Sequence, residues 1–326
     1  MKILTKQILS LVGAAAVFLA FDLAVYNTVT RRCIDKTSAE MQAKSVEVSE
    51  YLPFAEETKI AALDASMKLS EHPPVIDGAA GLFPVYSAFV HAVYPEQTVQ
   101  YDGESFTPDS AMQYSNTRGA YKALAEHSVD LAVLVKPSAE QLAYAEEQGA
   151  ELEFVPLGYD AFVFFVNESN PVESLTCEQI RDIYAGEIHR WDQVGGKRLR
   201  IDAKQRNAGS GSQSAMKAFM GGRKMHADPL NFTGSAIGFS FRYYIADLVG
   251  VRGIKMLALD GIPPTPEHIA DGSYPVVSTF YAVYDKHNQH PDLPRLIAWM
   301  QSEEAQKIIA DTGFIPVNPS QQSLRE

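Results

Sequence analysis

At 326 residues with 46% hydrophobic side chains, the chain is too apolar for a disordered protein, and at about 150 residues per domain it has room for two compact units. Its 28 lysines and arginines stand against 40 aspartates and glutamates, for a net charge of −12. Nucleic acid is therefore not an expected partner, because nonspecific binding to it needs a basic footprint, whereas backbone amides can hold a small anion even in an acidic protein. Cys33 and Cys177 are the two cysteines, which is too few for a disulfide scaffold or a thiolate metal cage.

Lys2 and Lys6 precede an apolar run over residues 8–26, broken only by Asp22. As a helix rising 1.5 Å per residue it spans roughly 28 Å, close to the hydrocarbon thickness of a bilayer. A charged start and an apolar middle also fit a secretory signal. The cleavage sites are poor, because position −3 falls on Phe18 or Asp22. An uncleaved hydrophobic helix anchoring the chain in a membrane is thus the first reading, a cleaved signal the second and a buried helix the third. The first two put the rest of the chain outside the cytoplasm, although Arg31, Arg32 and Lys36 then run against the positive-inside bias. Residues 1–30 are read as this signal or anchor, and 31–73 as a polar stalk ending in a short strand near Ile60-Ala61-Ala62-Leu63.

From Pro74 onward, short apolar runs alternate with loops and helical periods. Residues 129–135 and 161–166 are continuous apolar runs broken only by Asp130, as expected of strands buried on both faces of a parallel sheet. After them, Thr176 and Gln179 form a capping box, Leu175 and Ile180 stand at its staple positions, and Gly186 is a C-cap. A further helix is expected over 294–311, closed by Gly313. The fold class is therefore α/β, with ligands at the C-terminal ends of the strands.

Three segments could hold a ligand. Arg206-Asn207-Ala208-Gly209-Ser210-Gly211-Ser212 leads into a helix. Its glycines allow a tight turn, so that helix amides and serine hydroxyls can converge on an oxyanion with Arg206 as a forked charged donor. An ordinary serine-capped helix is the competing reading. No Gly-Lys-Ser/Thr follows the glycines, and their spacing is wrong for Gly-x-Ser-x-Gly, which excludes a Walker loop and a nucleophile elbow. The second segment, Ser115-Asn116-Thr117-Arg118-Gly119, opens a helix that Asn116 or Thr117 could cap, with Arg118 adding charge. The third, Asp77-Gly78-Ala79-Ala80-Gly81-Leu82, has small residues that would let a ligand approach the backbone. His287 and His290 lack a completing carboxylate, so no metal or other cofactor is expected. No nucleophile, base and orienting acid assemble, so the chain is not read as an enzyme. Cys177 is expected to be packed, and Glu146-Glu147 and Glu303-Glu304 to be solvated helix faces.

In order along the chain, Asn170-Pro171-Val172, Leu175-Thr176, 179–186, Trp191-Asp192-Gln193-Val194-Gly195-Gly196, 206–212, Ala236-Ile237-Gly238-Phe239 and Gly313-Phe314-Ile315-Pro316-Val317 resemble the phosphate-binding component of phosphate ABC transporters. The resemblance covers about residues 74–318. It implies a two-lobed type II periplasmic-binding-protein fold with discontinuous lobes, 74–159 plus 280–326 and 160–279, hinged near Tyr159-Asp160 and Thr279-Phe280. It also implies phosphate held between the lobes by Gly81 and Leu82 (backbone only), Thr117, Arg206, Ser210, Gly211 and Ser212, with Arg118 nearby and delivery to an ABC transporter permease. A membrane-anchored sensor or interaction module of the same fold is the alternative, and two departures favour it. Where many members carry an acidic or hydroxyl acceptor for the proton of phosphate, this chain has Val135. The missing acceptor would cost about 1 to 3 kcal/mol unless another group such as Asp160 reaches the site. In addition, only sixteen residues separate Met220 from Ile237, where members usually fit another helix lining the cleft, so a more open pocket is expected.

Overall fold

The computed structural model describes residues 40–41, 46–226, 235–248, 250 and 252–317. The expected N-terminal hydrophobic helix and half of the 221–236 connection, residues 227–234, lie outside these residues. Among the described residues, no helix is long and apolar enough to cross a membrane.

The elements in chain order are β1 (Glu40–Met41), β2 (Ile76–Gly78), α1 (Phe83–Val93), α2 (Asn116–Ala125), β3 (Leu131–Val135), α3 (Ala139–Glu147), β4 (Leu152–Asn167), β5 (Ser174–Leu175) and α4 (Cys177–Ala185). They continue with β6 (Ile201–Ala203), β7 (Gln205–Arg206), α5 (Gly211–Phe219), β8 (Ser235–Phe241), β9 (Ile254–Met256), β10 (Ala258–Leu259), α6 (Pro266–Ala270), β11 (Val277–Asp285), α7 (Leu293–Met300), α8 (Glu303–Thr312) and β12 (Ile315–Pro316).

The main sheet runs β2-β3-β11-β4-β8-β6, with β12 and β9 also paired to β4. It is mixed rather than parallel. β3 lies parallel to β2 but antiparallel to β11, and β4 lies antiparallel to both β11 and β8. Every residue of β3 is buried, so the continuous apolar run reported burial on both faces correctly but not strand direction. Two hydrophobic cores flank this sheet. Tyr86, Phe89, Leu134, Leu296 and Ile309 belong to the first, and Phe162, Phe164, Tyr184, Trp191 and Phe239 to the second.

β4 serves both cores. Residues 152–161 pair with β11, and residues 162–166 pair with β8. Thr279 is the Cα partner of Tyr159 and Ser278 that of Asp160, so the two expected crossing points lie directly opposite each other. The register slips between Phe280 and Tyr281, where Pro156, which has no amide hydrogen to give a ladder, can be accommodated. Gly158 is required beside it. A Cβ there would come within 2.6 Å of the Phe280 ring and 2.8 Å of the Ile315 carbonyl oxygen.

Local signals hold well around α4. Thr176 accepts from the Gln179 amide at 3.0 Å, Gln179 accepts from the Thr176 amide at 2.9 Å, and Gly186 adopts φ 82°. The helix expected over 294–311 is instead two, because Ser302 caps α8 by accepting from the Ala305 amide at 3.4 Å. Residues 46–73 also depart from a free stalk. They contain no strand at 60–63, and Val46, Tyr51, Ile60, Ala65 and Leu69 are buried in the first core. Glu304 is not merely solvated, since it accepts from the Ser66 amide at 3.2 Å and the Trp299 indole at 3.0 Å.

Candidate functional site

A cavity of about 300 Å³ opens between the two cores. Its walls start where strands end. Ala79 to Leu82 follow β2, Val135 closes β3, Arg206 closes β7 and Phe241 closes β8. All eight expected site residues line it: Gly81, Leu82, Thr117, Arg118, Arg206, Ser210, Gly211 and Ser212.

Two helix N-termini meet here. Ser210 caps α5, its hydroxyl accepting from the Gln213 amide at 3.2 Å. The first amides of the helix remain as donors at its positive end. Gly211 has an ordinary negative φ and is needed for space, because a Cβ would sit 3.2 Å from both Thr117 Oγ1 and a Val135 methyl. Gly209, at φ 83°, turns the loop, and the Arg118 stem lies over it at 3.1 Å from a Cβ position. Thus α2 and α5 approach across the cleft through Thr117 with Gly211 and Arg118 with Gly209.

The start of α2 is not capped as expected. Ser115, rather than Asn116 or Thr117, occupies the N-cap and makes no capping bond. Its hydroxyl instead donates to the buried Asp77 carboxylate, which also accepts from the Ser115 amide at 3.0 Å and the Gly78 amide at 2.7 Å. Burial holds Asp77 above the ordinary carboxylate value, against these three hydrogen bonds. Tying β2 to α2 in this way leaves the helix's first amides without a side-chain acceptor. Asn116 enters the helix in the left-handed region, at φ 63°, which asparagine tolerates. On the 79–82 turn the Leu82 amide already donates to the Ala79 carbonyl at 2.9 Å, so Leu82 contributes lining rather than a free donor.

Arg206 is nine-tenths buried, and its Nε has no partner among the described residues. Its backbone amide donates to Gln213 Oε1 at 2.8 Å, and Gln213 Nε2 donates to Gln205 Oε1 at 3.3 Å, so α5 braces the strand that carries the guanidinium. The guanidinium also donates to the Tyr244 phenol, which burial holds above its usual pKa while Arg206 pulls it down. Tyr244 lies 3.7 Å from a Cβ position on Gly81 and so spans the cleft. Neither Tyr244 nor Gln213 was singled out from sequence. Tyr244 sits on a π-helical turn, Tyr244–Leu248, with no motif around it, although a glutamine three residues after the Ser210 cap is a visible cue.

Asp160 also faces the cavity. It accepts from the Ala161 amide at 2.8 Å and from the Tyr243 amide at 3.3 Å. Burial pushes its carboxyl up to about 7, opposed by these amides and by the Arg242 guanidinium. Away from the cleft, burial and Asp260 push the Cys177 thiol up to about 12, so it is not thiolate at neutral pH. No group of three or more potential metal ligands occurs among the described residues.

A model described as a PBP superfamily domain matches residues 76–304. The chain is 26% identical over 191 residues to the phosphate-binding protein PstS of Borreliella burgdorferi, covering 52% of this chain and 67% of that one. It is also 26% identical over 165 residues to PstS of Bacillus subtilis, covering 47% of this chain and only about half, 53%, of that one. Among solved structures, a Clostridium perfringens protein, assigned as a phosphate ABC transporter substrate-binding protein and solved with bound phosphate, is 25% identical. It aligns with TM-score 0.56 over 74% of this chain and 98% of its own. An ABC-type phosphate transport receptor from Vibrio cholerae, 21% identical with TM-score 0.54 over 74% and 99%, shares the fold.

Proposed function

The chain belongs to the PBP superfamily, and on that premise we propose that it is an extracytoplasmic solute-binding protein that captures phosphate or a related oxyanion. It would release the anion to the permease of an ABC-type importer and perform no catalysis of its own. The observation that carries this reading is the Arg206 side chain, buried in the cleft with an Nε that has no partner among the described residues, beside the first amides of α5. A buried donor without an acceptor costs about 1 to 3 kcal/mol, and an oxyanion supplies that acceptor. The relatives named for phosphate binding support the choice of anion.

In this reading the ligand is held by Thr117, Arg206, Ser210, Gly211 and Ser212, with Gly81 and Arg118 closing over it. The lobes are 74–159 plus 280–326 and 160–279, and they close about the paired crossings at Tyr159-Asp160 and Thr279-Phe280. The apolar run over residues 8–26 would hold the binding body at the outer face of the membrane. Calorimetric titration of the anion-stripped full-length chain with phosphate tests the proposal. Arg206→Ala should weaken binding ten- to a hundredfold or more, the scale of one or two charge-assisted hydrogen bonds. Unchanged binding of phosphate and sulfate in that variant would refute it.

A further inference from the structure

A groove of about 520 Å³ lies beside the cleft. Tyr121 and Lys122 of α2 and Gln141 and Tyr144 of α3 form its walls, and it shares Arg118, Ala208 and Gly209 with the cleft. Arg118 is exposed, and its guanidinium has no ion-pair partner among the described residues. Its Cδ and Cγ lie 3.1 and 3.5 Å from a Cβ position on Gly209, so a long side chain resting on a glycine marks the boundary between the two spaces. Beneath it, Val135 presents a methyl to the cleft 3.2 Å from a Cβ position on Gly211. The Val135 carbonyl already accepts from the hydroxyl of Tyr121 at 2.5 Å. A P–OH directed at Val135 thus finds no acceptor, whereas the bridging oxygen and first carbon of an ester have no polar proton to place there. In the groove, Gln141 Oε1 is spent on the Ser138 amide at 2.8 Å, while its buried Nε2 has no partner among the described residues. Lys122 approaches Glu126 only to 3.6 Å, and that carboxylate takes the Tyr144 hydroxyl at 2.7 Å. The exposed carboxylate of Glu140 also lines the groove and opposes a second anion there.

Resting on the reading of the cleft as an oxyanion site, we propose that the preferred ligand is a phosphate monoester of a small, neutral, hydroxylated group. Its phosphoryl group occupies the cleft beside Arg206, and its substituent passes Arg118 into the groove between α2 and α3. Above its second pKa of about 6 such an ester presents three acceptor oxygens and no P–OH, which suits the donors of the cleft and the apolar face of Val135. Hydroxyls on the substituent accept from Gln141 Nε2 and Arg118 and donate to Glu140. A charged substituent would meet Glu140 unfavourably, so the groove discriminates by repulsion as well as by attraction.

Calorimetric titrations of the anion-stripped full-length chain at pH 8 with inorganic phosphate, glycerol 3-phosphate and ethyl phosphate test the assignment. Glycerol 3-phosphate should bind roughly ten- to a hundredfold more tightly than phosphate, the scale of one or two hydrogen bonds to charged or orphaned donors. Ethyl phosphate, which has no hydroxyls, should lack most of that gain. Gln141→Glu keeps an oxygen for the Ser138 amide, so the helix cap survives while the donor is lost. It should erase the advantage of the ester and leave inorganic phosphate within about twofold at 0.15 M salt, where a charge in the groove is largely screened from the cleft. Tyr144→Ala, which opens the far wall, should act in the same direction and serves if Gln141→Glu does not fold. Glycerol 3-phosphate that binds no more tightly than phosphate or ethyl phosphate, or an advantage that survives in the folded variants, overturns the groove assignment alone. A wild-type chain that binds neither phosphate nor the esters overturns the reading of the cleft and this assignment with it.

Discussion

The Asp160 carboxyl offers a direct test of the site's electrostatics through folding alone. Unfolded, an aspartate titrates near 3.9; folded, burial holds Asp160 at about 7. Between those values the native state keeps a proton that the unfolded chain has lost, so stability falls as the pH rises from about 4 to 7 and levels off above that. At 1.36 kcal/mol per pH unit, the three-unit span costs roughly 4 kcal/mol at pH 8, an upper figure because water reaches the cleft side of the carboxyl. Asp160→Asn removes this charge. Urea unfolding of the full-length wild type and variant at pH 4.5, 6 and 8 should give a stability difference that shifts in favour of the variant by 2 to 4 kcal/mol across the series. Comparing the two chains cancels the titration of all other groups that are far enough away to be independent. A difference that is constant with pH would refute the reasoning, since it would mean the carboxyl remains as ionised in the folded cleft as in water.

Gly158→Ala should destabilise the fold by about 1 to 3 kcal/mol through overpacking. Its Cβ would meet both the Phe280 ring and the Ile315 carbonyl, and the loss is read in the same urea melts. Gly211→Ala places a methyl against Thr117 and Val135 at 3.2 Å. It should weaken phosphate binding severalfold in calorimetry while costing less in the melt than Gly158→Ala, because the crowding is confined to the cleft wall where Gly211 meets Thr117 and the Val135 edge of the first core.

What the sequence revealed was local. The Thr176 and Gln179 capping box, the Gly186 and Gly313 C-caps and the Ser210 cap read correctly because each is decided by hydrogen bonds within a few residues. The eight expected site residues all line one cavity, because three loop-to-helix starts rich in small and polar residues are visible in the letters and the family resemblance picked single positions out of them. What escaped depends on residues far apart in the chain. Ser115 abandons its cap for Asp77, 38 residues away, and Tyr244 touches both Gly81 and Arg206, though neither leaves a periodic trace. The stretch over 46–73 looked like a stalk because its apolar residues are sparse. Widely spaced single anchors bury themselves in the first core with little regular structure around them, Tyr51 from one turn of 3-10 helix over Val48–Tyr51 and Leu69 from an irregular stretch. Strand direction was likewise hidden, since burial on both faces produces the same run of letters in parallel and antiparallel neighbours.

The pairing of Tyr159 with Thr279 makes everything between them a cassette. Antiparallel Cα partners lie about 4.5 to 5.5 Å apart, a gap that two or three residues span. The Arg206 and Gly-Ser-Gly-Ser half of the cleft therefore enters and leaves through one doorway. A corresponding segment from another member of the superfamily could be spliced in at that doorway without altering the separation of the strands that receive it. Half of the cavity lining can thus be exchanged as one block, while the Thr117 half and the core beneath it stay as they are.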